Sequence, residues 1–271
     1  MKEHDAPYAA EKLVQLKSEF DVDVIPDWGY GDGKAGGPWQ EGTWVRTDLD
    51  RLYDMICLFS TALGGNGRIL QALGGVTVQK SDIGSHAGEA FAHQVKFAKK
   101  GPVSSWSIVH EFAHAWDANY GWRLSRKLEQ YSGGFTSRIL SRFKKWLGAW
   151  DAGPRGREDL PGRHGRRPGC NAAGYFYGDK PSGANWLFNR KEDFAEAVAM
   201  YLGWEGENEL SDHAHKRILR YVNFKNGEKD GFGVVDNWQD YARYFYPDEG
   251  NYKKTKRWRF VDELVNRKAE M

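Results

Sequence analysis

The chain has very little cysteine, no long apolar run and no surplus of charge of either sign, and each shortage removes a class of protein. Two cysteines in 271 residues, Cys57 and Cys170, do not make a disulfide framework, so the fold has to rest on a hydrophobic core. Cys57 falls in an apolar helical pattern and reads as core, whereas Cys170 lies in a Gly/Arg-rich loop. No stretch comes near the roughly 18 consecutive apolar residues of a membrane span. The first residues, MKEHDAPYAAEKL, lack the apolar centre of a signal peptide, and the chain as written reads as soluble. Its compartment is not legible, since a leader removed from a secreted protein leaves no trace. A net charge of +2 gives no argument for nucleic acid or membrane as a partner. The basic runs at 123–127, 138–145, 155–167 and 253–259 read as solvated faces or as sites for an anionic partner.

Large rings, by contrast, are plentiful. Twelve Trp, thirteen Tyr and fourteen Phe point to a core, or a substrate cleft, built from amphipathic rings. Residues 8–20 have helical spacing, with Leu13, Leu16 and Phe20 on one side, and DVDVI at 21–25 alternates like a strand. A helix is predicted over 48–63, with Thr47 as its N-cap and Leu49, Leu52, Ile56, Phe59 and Leu63 as its stripe; Gly64-Gly65 ends it. Strands are expected at 74–81 and 93–100, then a helix over 105–119 capped by Ser104 or Ser105. Further helices are expected at 134–148, 190–203, 208–222, 236–245 and 256–269, and 151–170 reads as a Gly/Pro/Arg-rich excursion without periodicity. No internal repeat and no linker marks off an independent domain.

The helix at 105–119 contains His110-Glu111-Phe112-Ala113-His114, an HExxH motif. Residues four apart on a helix lie about 40° apart around its axis, so both imidazoles can reach one metal ion. Glu111 is turned about 100° from His110, which suits a base beside the metal better than a ligand. Chance alone places this pentapeptide in roughly one or two chains per hundred of such composition, so its setting has to carry the argument. Val109, Phe112, Ala113 and Trp116 mark the helix for burial, and two histidines and a glutamate are costly there unless something compensates them. A metal ion would.

A catalytic zinc needs a third protein ligand and an open position. No histidine follows six residues after His114, because position 120 is Tyr. The better source is Glu192-Asp193-Phe194-Ala195-Glu196, where Glu192 and Glu196 share one face of a helix. Glu192 can serve as ligand while Glu196 orients a ligand histidine. Asp117, seven residues after His110, returns to nearly the same face and reads as a supporting residue rather than a ligand.

HEFAHAWD followed by EDFAEAVAMYL resembles the gluzincin branch of zinc metallopeptidases, and is most similar to the lethal-factor-like and Pro-Pro endopeptidase-like enzymes. The similarity spans about residues 43–204, although only the two helical motifs are specific, and the segment 151–170 has no place in the family pattern. It implies Glu192 as the third ligand, Glu196 in support, and a tyrosine before the glutamate helix that stabilises the oxyanion. Tyr177, or else Tyr175, occupies that place. The resemblance also implies that the strand at 93–99 is a sheet edge along which an extended peptide pairs.

The expected fold is therefore α+β, mainly helical and zincin-like, as one domain over 1–271. Residues 1–121 would carry the sheet and the HExxH helix, and 122–271 the helical part with the third ligand. The expected function is endopeptidase chemistry with one Zn²⁺ per chain and Glu111 as general base, acting on a protein or peptide substrate. Two other functions share the motif: a zinc module kept for partner binding, and a hydrolase of some other amide. Glu111 argues against the first, because a structural zinc site does not need that carboxylate.

Overall fold

The computed structural model describes residues 6–25, 44–84, 86–99, 101–131, 190–204, 209–212, 214 and 252–266. The predicted helices at 134–148 and 236–245, the excursion at 151–170, and both Tyr175 and Tyr177 lie outside the described residues. The architecture is α+β and mainly helical, with one four-stranded sheet among the described residues. The chain divides into two compact units, residues 1–121 and 122–271. No helix among the described residues is long and apolar enough to cross a membrane.

In the first unit, helix α1 (Ala6–Phe20) leads directly into strand β1 (Val22–Val24). Helix α2 (Arg46–Leu63) buries the whole expected stripe from Leu49 to Leu63, because those side chains recur every three or four residues. It begins earlier than predicted. Val45 is the N-cap, Thr47 lies inside the first turn, and the Asp48 carboxylate reaches back toward the Val45 N–H at 3.5 Å. Gly64 and Gly65 end α2 with φ of 92° and 109°, a region that side chains beyond glycine rarely enter. Helix α3 (Asn66–Leu73) follows at once and was not foreseen. Its single turn-and-a-half of pattern, Ile69, Ala72 and Leu73, is too short to stand out from a loop.

Strands β2 (Val76–Ser81), β3 (Gly88–Phe91) and β4 (Gln94–Ala98) complete the sheet in the order β1-β2-β4-β3. The pairs β1–β2 and β2–β4 are parallel, and β3–β4 is antiparallel. This corrects the expectation for 93–99. That strand is an interior one, bonded to β2 on one side and β3 on the other, so its backbone has no edge to offer a peptide. The edge next to it is β3. The physical reason for the error is that alternation reports only faces. Val95 and Phe97 are buried on one face of β4, but nothing in their spacing reveals a lateral neighbour. The neighbour, Gly88-Glu89-Ala90-Phe91, has no strand signature of its own.

Helix α4 (Ser105–Asn119) has the predicted bounds, and Ser104 is its cap, accepting from the Ser107 N–H at 3.1 Å. It is buried on nearly every side, and Phe59 of α2 meets Trp116 edge-on at 5.7 Å between ring centres. The segment entering α4 is clamped by charge. Asp48 and Lys80 form a 2.6 Å ion pair with side chains 0% and 2% exposed. Asp48 also accepts from the Val103 N–H at 2.9 Å, and Lys80 donates to the Gly101 carbonyl at 3.1 Å.

In the second unit, helix α5 (Arg123–Tyr131), read in the sequence only as a basic run, buries Leu124 and Leu128. Helix α6 (Arg190–Trp204) carries the glutamate motif, and helix α7 (Lys256–Val265) begins at a Thr255 cap whose hydroxyl accepts from the Trp258 N–H at 3.0 Å. Phe194 and Phe260 meet edge-on at 6.4 Å, and Tyr201 donates to Asp262 at 3.0 Å. Burial, and then the Asp262 carboxylate, push the Tyr201 phenol well above its ordinary value, so it stays a donor.

Candidate metal centre

The centre is built on α4. The helical repeat places His110 and His114 one turn apart on the same face, with ring centres 4.7 Å apart and planes at 83°. Their Nε2 atoms converge to 3.1 Å. Two nitrogens each about 2.0–2.1 Å from a tetrahedral ion stand about 3.3 Å apart, so the pair is spaced as two ligands of one ion would be. A shared proton between two neutral imidazoles gives a similar distance. A metal site also needs a third donor.

Glu192, in the first turn of α6, supplies it. One ligand atom from each of His110, His114 and Glu192 lies within 4.8 Å of the other two. His114 is buried and the other two are half-buried. Two imidazole nitrogens and one carboxylate oxygen suit a divalent transition metal, and three protein donors leave a position for a further ligand. The carboxylate side chain has the torsional freedom to close the remaining distance. The group can thus hold a metal ion.

Glu111 is 7% exposed and does not belong to that trio. Its side chain lies flat against the backbone of β3. A Cβ added to Gly88 would stand 2.5 Å from Glu111 Cγ and 2.6 Å from Cδ, and would meet Oε1 as well. Gly88 has no left-handed φ, so glycine is needed here for space rather than for conformation. This residue escaped the sequence reading, and the only signal for it was a glycine in an otherwise unpatterned stretch. Gly88→Ala is expected to displace the Glu111 carboxylate by about an ångström, enough to slow a Glu111-dependent reaction about 100-fold. The metal content of that variant should not change, which elemental analysis beside the rate measurement checks.

A cavity of about 370 Å³ is lined by His86, Ala87, Phe97, Val103, Ser104 and Ser107, among others. It adjoins the start of β3 and the first turn of α4. The Ser104 and Ser107 hydroxyls in its lining stand 2.9 Å apart.

The other expected site residues fall as follows. Asp117 is fully buried on α4, and Glu196 is half-buried one turn beyond Glu192 on α6. Asp193, between the two glutamates, was overlooked. It is 1% exposed and takes a two-pronged ion pair from Arg257 of α7, Nε to Oδ1 and Nη2 to Oδ2, both at 2.7 Å. Arg257 belongs to the basic run at 253–259 that reads as a solvated face or an anion site; it is neither, being 3% exposed and committed to Asp193. The chain was compared with protein-family models, curated proteins and solved structures, and none of them matches it.

Proposed function

We propose that the chain is a zinc-dependent endopeptidase of the gluzincin type, with His110, His114 and Glu192 as ligands and Glu111 as the catalytic base. What supports this reading is the joint presence of two convergent imidazole nitrogens, a carboxylate oxygen within 4.8 Å of them, and a separate buried carboxylate on the next residue of the same helix. A structural site has no use for the last of these. Zinc, when bound, supplies Lewis-acid chemistry: it makes water acidic near neutral pH and polarises a carbonyl oxygen. Glu111 then takes the proton of the attacking water and later passes it to the leaving amine. Its burial keeps the carboxylate away from bulk water, and Gly88 lets it lie against the strand.

The substrate is a peptide in extended form. On this reading it pairs with β3, the sheet edge adjoining α4, in place of the strand at 93–99. A peptide laid there passes Glu111 at Gly88 and presents a neighbouring side chain to the cavity at Ser104 and Ser107. Tyr177, in the place where the resemblance sets an oxyanion donor, completes the proposed machinery. Asp117 and Glu196 are proposed to orient the ligand histidines.

Metal content is the deciding experiment. Elemental analysis of purified protein after exhaustive dialysis should find about one zinc per chain, and His114→Ala should lose it. A wild-type chain that holds no zinc, even after zinc is added back, overturns the reading.

A further inference from the structure

We infer that Asp193 and Arg257 form a positioning pair for the metal centre, so that the C-terminal helix α7 is part of the machinery that aims Glu192. The inference rests on the proposed ligand role of Glu192. The pair is almost wholly buried, with Asp193 1% and Arg257 3% exposed, and it is two-pronged, with both N···O distances 2.7 Å. A guanidinium fork on a carboxylate fixes direction as well as distance, which a single hydrogen bond does not.

The consequence for Glu192 follows from helix geometry. Asp193 is its immediate neighbour, about 100° further round the helix. Holding the Asp193 side chain in a fixed direction therefore fixes the direction in which Glu192 leaves α6. Metal bonds tolerate errors of about 0.2 Å. A roll of α6 by about 10°, acting at the roughly 6 Å radius of its side chains, moves a ligand atom by about 1 Å. A modest loss of azimuthal control is thus enough to spoil the site.

The other ties between α6 and α7 either lack direction or act further along the helix. Phe194 against Phe260 is apolar and indifferent to small rotations, and the Tyr201 hydroxyl meets Asp262 two turns beyond Glu192. Among these ties, the Asp193–Arg257 fork is the one at the ligand's own turn that is both directional and dry. A buried ion pair is weak evidence for stability, since well-packed apolar replacements are often as stable. That point allows folding and positioning to be separated.

The test compares the wild type, Arg257→Lys, and the double variant Asp193→Leu/Arg257→Met, with zinc alone as the probe. Thermal unfolding of the zinc-free proteins is read beside zinc affinity from competition with a chromogenic chelator. Arg257→Lys keeps the charge and loses the fork; it should weaken zinc about 10-fold. The double variant should unfold within a few degrees of the wild type and bind zinc 10–100-fold more weakly. Wild-type zinc affinity in the double variant overturns the positioning role and leaves the metal centre standing. Should the double variant unfold far below the wild type, the pair is structural, and equal affinities for wild type and Arg257→Lys then overturn the proposal. A wild-type protein that takes up no zinc removes the metal centre itself.

Discussion

Replacing Glu111 by Gln is expected to leave zinc bound and to cut peptide turnover by at least two orders of magnitude, about 3 kcal/mol of barrier. The amide has nearly the size of the carboxylate, so the fit against Gly88 survives. What is lost is the capacity to accept a proton. Glu111 donates no ligand atom to the trio of His110, His114 and Glu192, so the metal has no reason to leave. The measurement is kcat on a peptide library, paired with zinc per chain for both proteins. Near-normal turnover would sink the assignment of the base. No cleavage by the wild type beyond the level of the variant would favour a zinc module kept for partner binding. Cleavage confined to non-standard amides would favour the related hydrolase.

Asp48→Ala should strongly destabilise the first unit. It takes the counter-charge from the Lys80 ammonium, whose side chain is 2% exposed, and leaves the Val103 N–H without its carboxylate. Breaking one side of a buried pair costs about 3–5 kcal/mol, which lowers the melting temperature by on the order of 10 °C. The cost falls at a sensitive place, since Val103 immediately precedes the Ser104 cap of the helix that carries His110 and His114. Removing both charges, as Asp48→Leu with Lys80→Met, should recover much of the loss. Urea unfolding of the three proteins checks this, and a single variant as stable as the wild type would contradict it.

The elements legible in the sequence were those long enough to repeat their pattern. The buried stripe of α2 recurs through about four turns, and α4 combines an apolar pattern with a serine cap, so its span could be read directly. The His110–His114 pair was equally legible, because a four-residue step on a helix is local geometry. Helix α3 and strand β3 were not, since α3 runs for only about two turns and β3 shows no alternation of buried and exposed residues. Helix α5 was hidden by its own charge: five of its nine residues, RLSRKLEQY, are charged or carry an amide, and they read as a solvated run.

What the sequence determined by itself was thus the local arrangement: two imidazoles and a carboxylate on one helix, and a second helix with a glutamate able to provide a third donor. The tertiary structure alone decided the rest, because it depends on residues far apart in the chain. It set β4 inside the sheet and β3 at its edge through lateral hydrogen bonds that no alternation encodes. It turned Arg257 from an apparent surface charge into the buried partner of Asp193, and Lys80 into that of Asp48. It also gave Gly88 its meaning, by laying the Glu111 side chain where any larger residue would stand. Spacing along a helix is fixed by 3.6 residues per turn, whereas the choice of neighbour across a core is fixed only when the whole chain packs.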